Sequence, residues 1–174
     1  MFKIFSLLLV AVFLNAGHLN IVDGKIKAHT EVFGDSTIDP QTKEISSVLT
    51  MDDSIESIKG MVSIKSLSLK SDNEKRDINM YETINSNNQP LISFKFTNIE
   101  KNEDFYLISG ILSLNGQNKE IISKAKIEDF QNNLKIDGDF SFNLTDFGIE
   151  PPTLLFLTVR NQIDIAYNLK YTKE

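Results

Sequence analysis

The chain has few side chains able to make or break bonds. Of its 174 residues two are histidine, His18 and His29, and none is cysteine. Composition therefore rules out thiolate catalysis, disulfides and cysteine-bound zinc, and two imidazoles cannot build a histidine cluster around a metal. A Ser-His-Asp relay would rest on His29, because His18 stands next to an expected leader cleavage point. His29 falls on the polar parity of its segment. No nucleophile and base come together, so the sequence predicts no enzyme, no cofactor and no metal. Arg76-Asp77 reads in two ways, as an ion pair and cap at a helix start, or as polar contacts at one end of the fold.

What the chain does offer is apolar chemistry. Residues 134–144 put Leu134, Ile136, Phe140, Phe142 and Leu144 on one parity with Gly138, and Lys135, Asp137, Asp139, Ser141 and Asn143 on the other. Residues 159–171 repeat the scheme, with Val159, Ile163, Ile165, Tyr167, Leu169 and Tyr171 opposite Arg160, Gln162, Asp164, Asn168 and Lys170. A period of two with one dry face marks strands of an antiparallel sheet. The inward parity of the strongest segments supplies the candidate lipid-binding residues Phe94, Phe96, Leu112, Ile136, Phe140, Phe142, Ile163, Ile165 and Tyr167, none of them charged. Each methylene withdrawn from water contributes about 0.8 kcal/mol, so such a lining can hold a hydrocarbon with no ion pair or metal. On the residues alone, a filled core and an open lumen both stand.

The elements that must position these side chains follow in order. Segments 25–33, 44–51 and 61–69 read as strands, the first with Ile26, Ala28, Thr30 and Val32 on one face and ended by Gly34-Asp35-Ser36. A polar loop over 71–77, whose Ser and Asp residues can cap, leads into a short helix with Ile78, Tyr81 and Ile84 at helical spacing and Met80 one turn from Ile84. Strands follow at 91–99, 105–114 and 121–127, and Gly110 inside the second marks a bulge or a covered face. Asn115-Gly116 makes a hairpin turn that pairs the neighbouring strands antiparallel. The sum is an all-β chain of about eight strands, one short helix after the third, in a closed antiparallel barrel whose diameter admits one small ligand.

A hydrophobic fraction of 41% and a charged fraction of 24% suit one globular domain. Residues 1–17 read as a signal peptide, with Lys3, an apolar stretch too short for the roughly 20 residues that span a bilayer, and small residues at Ala16 and Gly17. The domain then covers 18–174, in the periplasm or secreted. Net charge is −6, and it becomes −7 without the leader, which leaves 17 basic residues against 24 acidic. Phosphate binding needs the opposite balance, so a nucleic-acid partner is not expected. The outward parity, carrying Lys135, Asp137, Asp139 and Asp164, does not suit a barrel embedded in lipid.

Four stretches resemble the YceI family of lipocalin-like, polyisoprenoid-binding proteins. Residues 67–80 are similar to its strand end, polar loop and Arg-Asp helix start, here Arg76-Asp77. Residues 89–96 resemble its Tyr-Pro-x-x-x-Phe strand opening, with Gln89 where an aromatic is common. Residues 110–119 resemble its Gly-x-Leu-Thr-x-x-Gly-x-x-Lys hairpin, with Ser113 at the threonine position, and Asp146-Phe147-Gly148-Ile149 resembles its Asp-Phe-Gly-Ile loop. The last is no kinase motif, since a Gly-rich loop with its lysine and a His-Arg-Asp loop are missing. The resemblance implies a barrel outside the cytoplasm enclosing a tunnel for an isoprenoid chain, such as that of a quinone or a polyprenyl phosphate, and no catalytic residues. Three readings follow: a non-enzymatic carrier of an isoprenoid lipid; an envelope interaction module with a solid core and no ligand; and, third, an enzyme dependent on His29. Pairing of two barrels into a homodimer is open, and the apolar run 154–157 lines the mouth, touches a membrane or packs under the barrel end.

Overall fold

The computed structural model describes residues 17–32, 35–154 and 156–174. Residues 1–16 of the expected leader therefore lie outside the described residues, as does the Phe33-Gly34 part of the first turn, while Gly17, the leader's expected last residue, opens the first strand.

Among the described residues twelve strands and one α-helix occur in the order β1 (Gly17–Val32), β2 (Asp35–Ile38), β3 (Gln41–Thr42), β4 (Ile45–Met51), β5 (Lys59–Lys65), α1 (Glu74–Thr83), β6 (Leu91–Asn102), β7 (Phe105–Leu114), β8 (Gln117–Phe130), β9 (Asn133–Asn143), β10 (Thr153–Leu154), β11 (Leu157–Thr158) and β12 (Gln162–Lys173). The hydrogen-bonded order is β12-β9-β8-β7-β6-β5-β4-β1, and β12 also pairs with β1. Eight strands thus close into an antiparallel barrel. β2 and β3 flank β1, and β10 with β11 forms a separate hairpin.

Several boundaries differ from the sequence reading, each for a local reason. β1 starts at Gly17, ahead of the expected strand at 25–33, and Val22 sits at a register shift between Ile21 and Asp23. The shift moves the inward parity from Leu19 and Ile21 to Gly24 and Ile26, which hides the first half of the strand from a period-two search. β5 ends at Lys65, and residues 66–68 form a 3-10 turn whose buried Ser66 donates both its N–H (2.8 Å) and its hydroxyl (3.2 Å) to the Pro90 carbonyl.

The helix begins at Glu74. Asn73, rather than a Ser or Asp, caps it by accepting from the N–H groups of Lys75 and Arg76. Its inward face is Asp77, Met80 and Ile84, at i, i+3 and i+7, so Ile78 is half exposed and Tyr81 points away to donate to the Leu69 carbonyl at 2.6 Å. Of the four apolar residues at helical spacing, Met80 and Ile84 face inward and Ile78 and Tyr81 do not, because the third inward position is the carboxylate of Asp77.

Gly110 makes no bulge in its own strand. β7 and β8 stay in register through it, and the shift lies opposite on β6, between Phe96 and Asn98. Gly110 faces inward, where a Cβ would run into the Phe94 ring and lie 2.7 Å from the Lys95 carbonyl oxygen. The hairpin turn is as expected: Asn115 and Gly116 both have positive φ, 49° and 70°, and join Leu114 to Gln117.

The interior divides along the barrel axis. One half is solid, packed with Leu19, Leu49, Ile99, Ile108, Leu134, Ile136, Leu169 and Tyr171. Ile84, Leu112, Leu114, Leu144, Phe147 and Ile149 pack under the other end, with Gly148 in the left-handed region closing the turn after Phe147.

The outer wall divides as well. On β8, β9, β12 and neighbouring β1, charges interlock: Lys126 with Glu128, Lys135 with Asp137, Lys170 with Asp23, and Arg160 with Asp164. On β4 to β7 one rung of register partners is Ser46, Ser63, Ser93 and Ser113, and the next is Val48, Met61, Lys95 and Ile111.

Replacement of Gly110 by alanine should force Phe94 off the wall, and because the Lys95 backbone cannot yield easily the expected loss of stability is about 1–3 kcal/mol. Urea unfolding of Gly110→Ala checks this; an unchanged midpoint would mean that the ring does not lie where it is described.

Candidate functional site

The half of the barrel that is not solid encloses a cavity of about 560 Å³. Its walls come from alternate residues of the strands: Ile92, Phe94 and Phe96 on β6, Leu112 and Leu114 on β7, Phe140 and Phe142 on β9, Ile163, Ile165 and Tyr167 on β12, and Ile26, Ala28, Thr30 and Val32 on β1. Eight of the nine residues expected to form an apolar lining are among these. The ninth, Ile136, does not line the cavity; it is fully buried in the solid half, between Ile127 and Leu169 in register. Parity places Ile136 inward correctly, but its height along the barrel puts it below the cavity floor.

An aromatic chain shapes the space. Phe94 meets Phe96 edge-on at 5.5 Å and stacks on Phe140 at 5.9 Å, Phe140 adjoins Phe142 and Tyr167 at 6.5 and 6.4 Å, and Phe142 meets buried Phe147 edge-on at 5.2 Å. Such contacts fix ring orientation beyond area burial alone. Two wall positions without a Cβ let rings lie along the wall: Phe94 over Gly110, and the Tyr167 hydroxyl over Gly138.

Polar groups at the floor are consumed internally. The single Ser123 hydroxyl proton goes to the Asp139 carbonyl at 2.8 Å, so at 2.8 Å the Tyr167 hydroxyl is the donor to Ser123. Burial pushes the Tyr167 phenol up to about 12, and Tyr171, bonded to Ser47 in the solid half, likewise to about 12. Both phenols stay neutral, and the lumen carries no charge at its base.

The mouth is where polarity gathers. Helix α1 brings Arg76, Asp77, Met80 and Thr83 to it, and Pro152, Thr153 and Val159 come from the flanks of the β10–β11 hairpin. Arg76 and Asp77 are thus both at the mouth, though in different ways. Asp77 is buried, and its carboxylate accepts from the Ser71 N–H (2.9 Å) and hydroxyl (2.7 Å), fastening the loop before the helix. Arg76 is half-buried. Of the apolar run 154–157, Phe156 is 99% exposed at φ 75°, and Leu155 lies outside the described residues.

His29 also borders the cavity, held in a carboxylate clasp. Its Nδ1 lies 2.7 Å from Asp39 and its Nε2 3.3 Å from Glu31, and Lys27 reaches Asp39 at 2.9 Å. Asp39 foremost, then Glu31, raises the imidazole above its ordinary value, while Lys27 and then His29 hold Asp39 low. Sequence reasoning missed this clasp, because a register-distant carboxylate on the β2–β3 connection completes it. It also left the β1 side chains, Met80 and Val159 out of the lining; their parity was readable, their closeness to the cavity was not.

An eight-stranded antiparallel barrel with an apolar cavity open at one end is the architecture of the lipocalin-like proteins. The family model described as the YceI-like domain matches residues 17–171. The chain belongs to the YceI family. No curated protein sequence matches it. Its fold is similar to that of Burkholderia cenocepacia BcnA (14% identity, TM-score 0.74, 84% of this chain and 95% of that one). It is also similar to the Campylobacter jejuni YceI protein (21%, 0.67, 80% and 87%). A third likeness is to a polyisoprenoid binding domain from Saccharophagus degradans implicated in plant cell wall breakdown (9%, 0.68, 91% and 99%). At these identities the likeness is one of fold.

The clasp yields a pH prediction. A raised pKa means that folding favours the imidazolium, so the clasp's contribution is fully present below the unfolded value, near 6.5, and is lost as pH rises through the raised folded value. The stability difference between the wild-type chain and His29→Gln should therefore be constant up to about pH 6 and shrink as pH rises above about 6.5. A difference that stays constant or grows above that pH would contradict the clasp.

Proposed function

We propose that the chain is an exported, non-enzymatic binding protein that sequesters or carries an isoprenoid lipid, of quinone or polyprenyl type, in the barrel cavity. The observation that carries this reading is the cavity itself: about 560 Å³, walled by aromatic and aliphatic side chains, with Arg76 and Asp77 at its mouth and the floor hydroxyls of Ser123 and Tyr167 bonded to each other. That volume falls in the range of about 300–1,000 Å³ common to small-molecule sites. At about 0.8 kcal/mol for each methylene withdrawn from water, a branched hydrocarbon gains its affinity by length.

Family membership supports the reading, as does the polyisoprenoid-binding domain of similar fold. The fastened mouth, with Arg76 and Asp77 beside the opening, supports an arrangement in which the tail lies inside and the headgroup outside. Binding rather than catalysis is supported by His29, whose ring nitrogens both face carboxylates and so leave neither to serve a hydroxyl as base. Export is supported by the apolar residues 4–14 behind Lys3.

Purification without detergent, solvent extraction and mass spectrometry should recover a prenyl lipid in about stoichiometric amount. Phe140→Asp, which sets a carboxylate among the rings, should abolish copurification and destabilise the barrel. Ala28→Phe, which adds apolar volume inside the cavity, should exclude the lipid while leaving the fold intact, so that loss of ligand is told apart from loss of structure. Repeated recovery of lipid-free wild-type protein would overturn the reading.

A further inference from the structure

The outer wall carries a feature for which the cavity has no use. The outward positions of β4, of β5, of β6 up to Thr97 and of β7 from Ser109 hold no Asp or Glu, and those of β5 and β6 hold Lys59, Lys65 and Lys95. Glu44, ahead of β4, and Glu120, on β8, bound this area. On a chain with 24 acidic residues against 18 basic, an acid-free wall is a local reversal of sign. Lys65 and Lys95 are exposed and make no ion pair among the described residues, and Lys59 reaches only Asp52, at 3.9 Å.

Among these lysines stand three aliphatic side chains that nothing covers, Val48, Met61 and Leu91, exposed at 70%, 42% and 59%. Val48 is the register partner of Met61, Met61 of Lys95, and Lys65 of Leu91. Partners on adjacent strands sit about 5 Å apart, so Val48, Met61 and Lys95 form one rung and Lys65 and Leu91 another on the same outward face, with Lys59, opposite Thr50, two residues before Met61. Small serines at 46, 63, 93 and 113 separate the two rungs and let the larger side chains stand proud.

We propose that this wall docks the barrel on an anionic lipid bilayer. Lys59, Lys65 and Lys95 would meet headgroup phosphates, and Val48, Met61 and Leu91 the apolar edge of the interfacial layer. A deformable surface suits a convex wall with no groove; a protein partner would need a matching pocket for each protruding aliphatic group. The acidic groups, interlocked with bases on the opposite wall, then face away from the membrane. Lys65 and Leu91 stand at the ends of β5 and β6 nearest helix α1, which brings the cavity mouth down to the bilayer. The proposal holds whatever the cavity carries.

Flotation of the full chain with vesicles of phosphatidylcholine mixed with phosphatidylglycerol tests it. Wild-type protein should float with the mixed vesicles, less so in added salt, and hardly at all with phosphatidylcholine alone. A lysine near an anionic surface contributes about fivefold to partitioning, so the double variant Lys65→Glu, Lys95→Glu should lower the bound-to-free ratio by about thirtyfold or more. Val48→Ser with Leu91→Ser should lower it too. All of these chains share the same N-terminal residues, so differences among them report the wall alone, and outward substitutions should leave the urea midpoint and lipid extraction unchanged. No flotation of the wild-type chain, or equal flotation of the charge-reversed variant, would overturn the proposal. So would a dimer in light scattering that the same variant dissociates, which would give the wall to a second copy of the chain.

Discussion

The structure depends on the pairing of β1 with β12, which joins the first and last long strands from Leu19 and Lys173 to His29 and Asp164. Without it the sheet would be open, with two long unpaired edges. With it, eight strands fix the circumference, and circumference fixes the width that side chains have to fill. The opposite seam is thinner: β1 pairs with β4 over only Gly17 to Leu19, and β3 takes over at Ile26 and Lys27. That change of partner lets β1 swing across the mouth and contribute Thr30 and Val32 to its rim.

Given that width, whether the lumen is filled depends on where the side chains lie. In the solid half, Ile108, Leu134, Ile136 and Tyr171 reach the axis and leave almost no exposed area. In the other half, rings flatten onto the wall over Gly110 and Gly138, and Ala28 contributes little volume. The residues there are as apolar as those below; only their reach differs. The helix and the loops at 71–77 and 144–149 then frame an opening, and Asp77, satisfied by Ser71, keeps that frame in place without presenting an unpaired charge to the lumen. The barrel thus combines a packed half with a hollow half fastened at its rim.

Most of the barrel was legible in the sequence because closure makes every strand one-sided, and one-sidedness is a period of two. Asn115-Gly116 was legible because few residues accept the two positive φ angles of its turn. Height along the barrel was not legible: Ile136 and Phe140 share a parity, and nothing in their spacing says that one is core and the other lining. The first half of β1 was hidden by the register shift at Val22. Helical spacing alone does not separate Ile78, half exposed, from Met80 and Ile84, because the inward face contains Asp77, a polar residue made tolerable by a partner outside the helix. The clasp around His29 needed Asp39, ten residues away on a connection with no regular period.

The central claim is that one half of the barrel is an open apolar cavity rather than a packed core. It is tested most directly by diffraction from crystals of the chain, freed of any copurifying lipid and pressurised with xenon, which occupies apolar cavities and not packed cores. The account predicts xenon among Phe94, Phe140 and Ile165. A lumen without xenon, in which Phe140 and Ile165 meet across the axis, would contradict it.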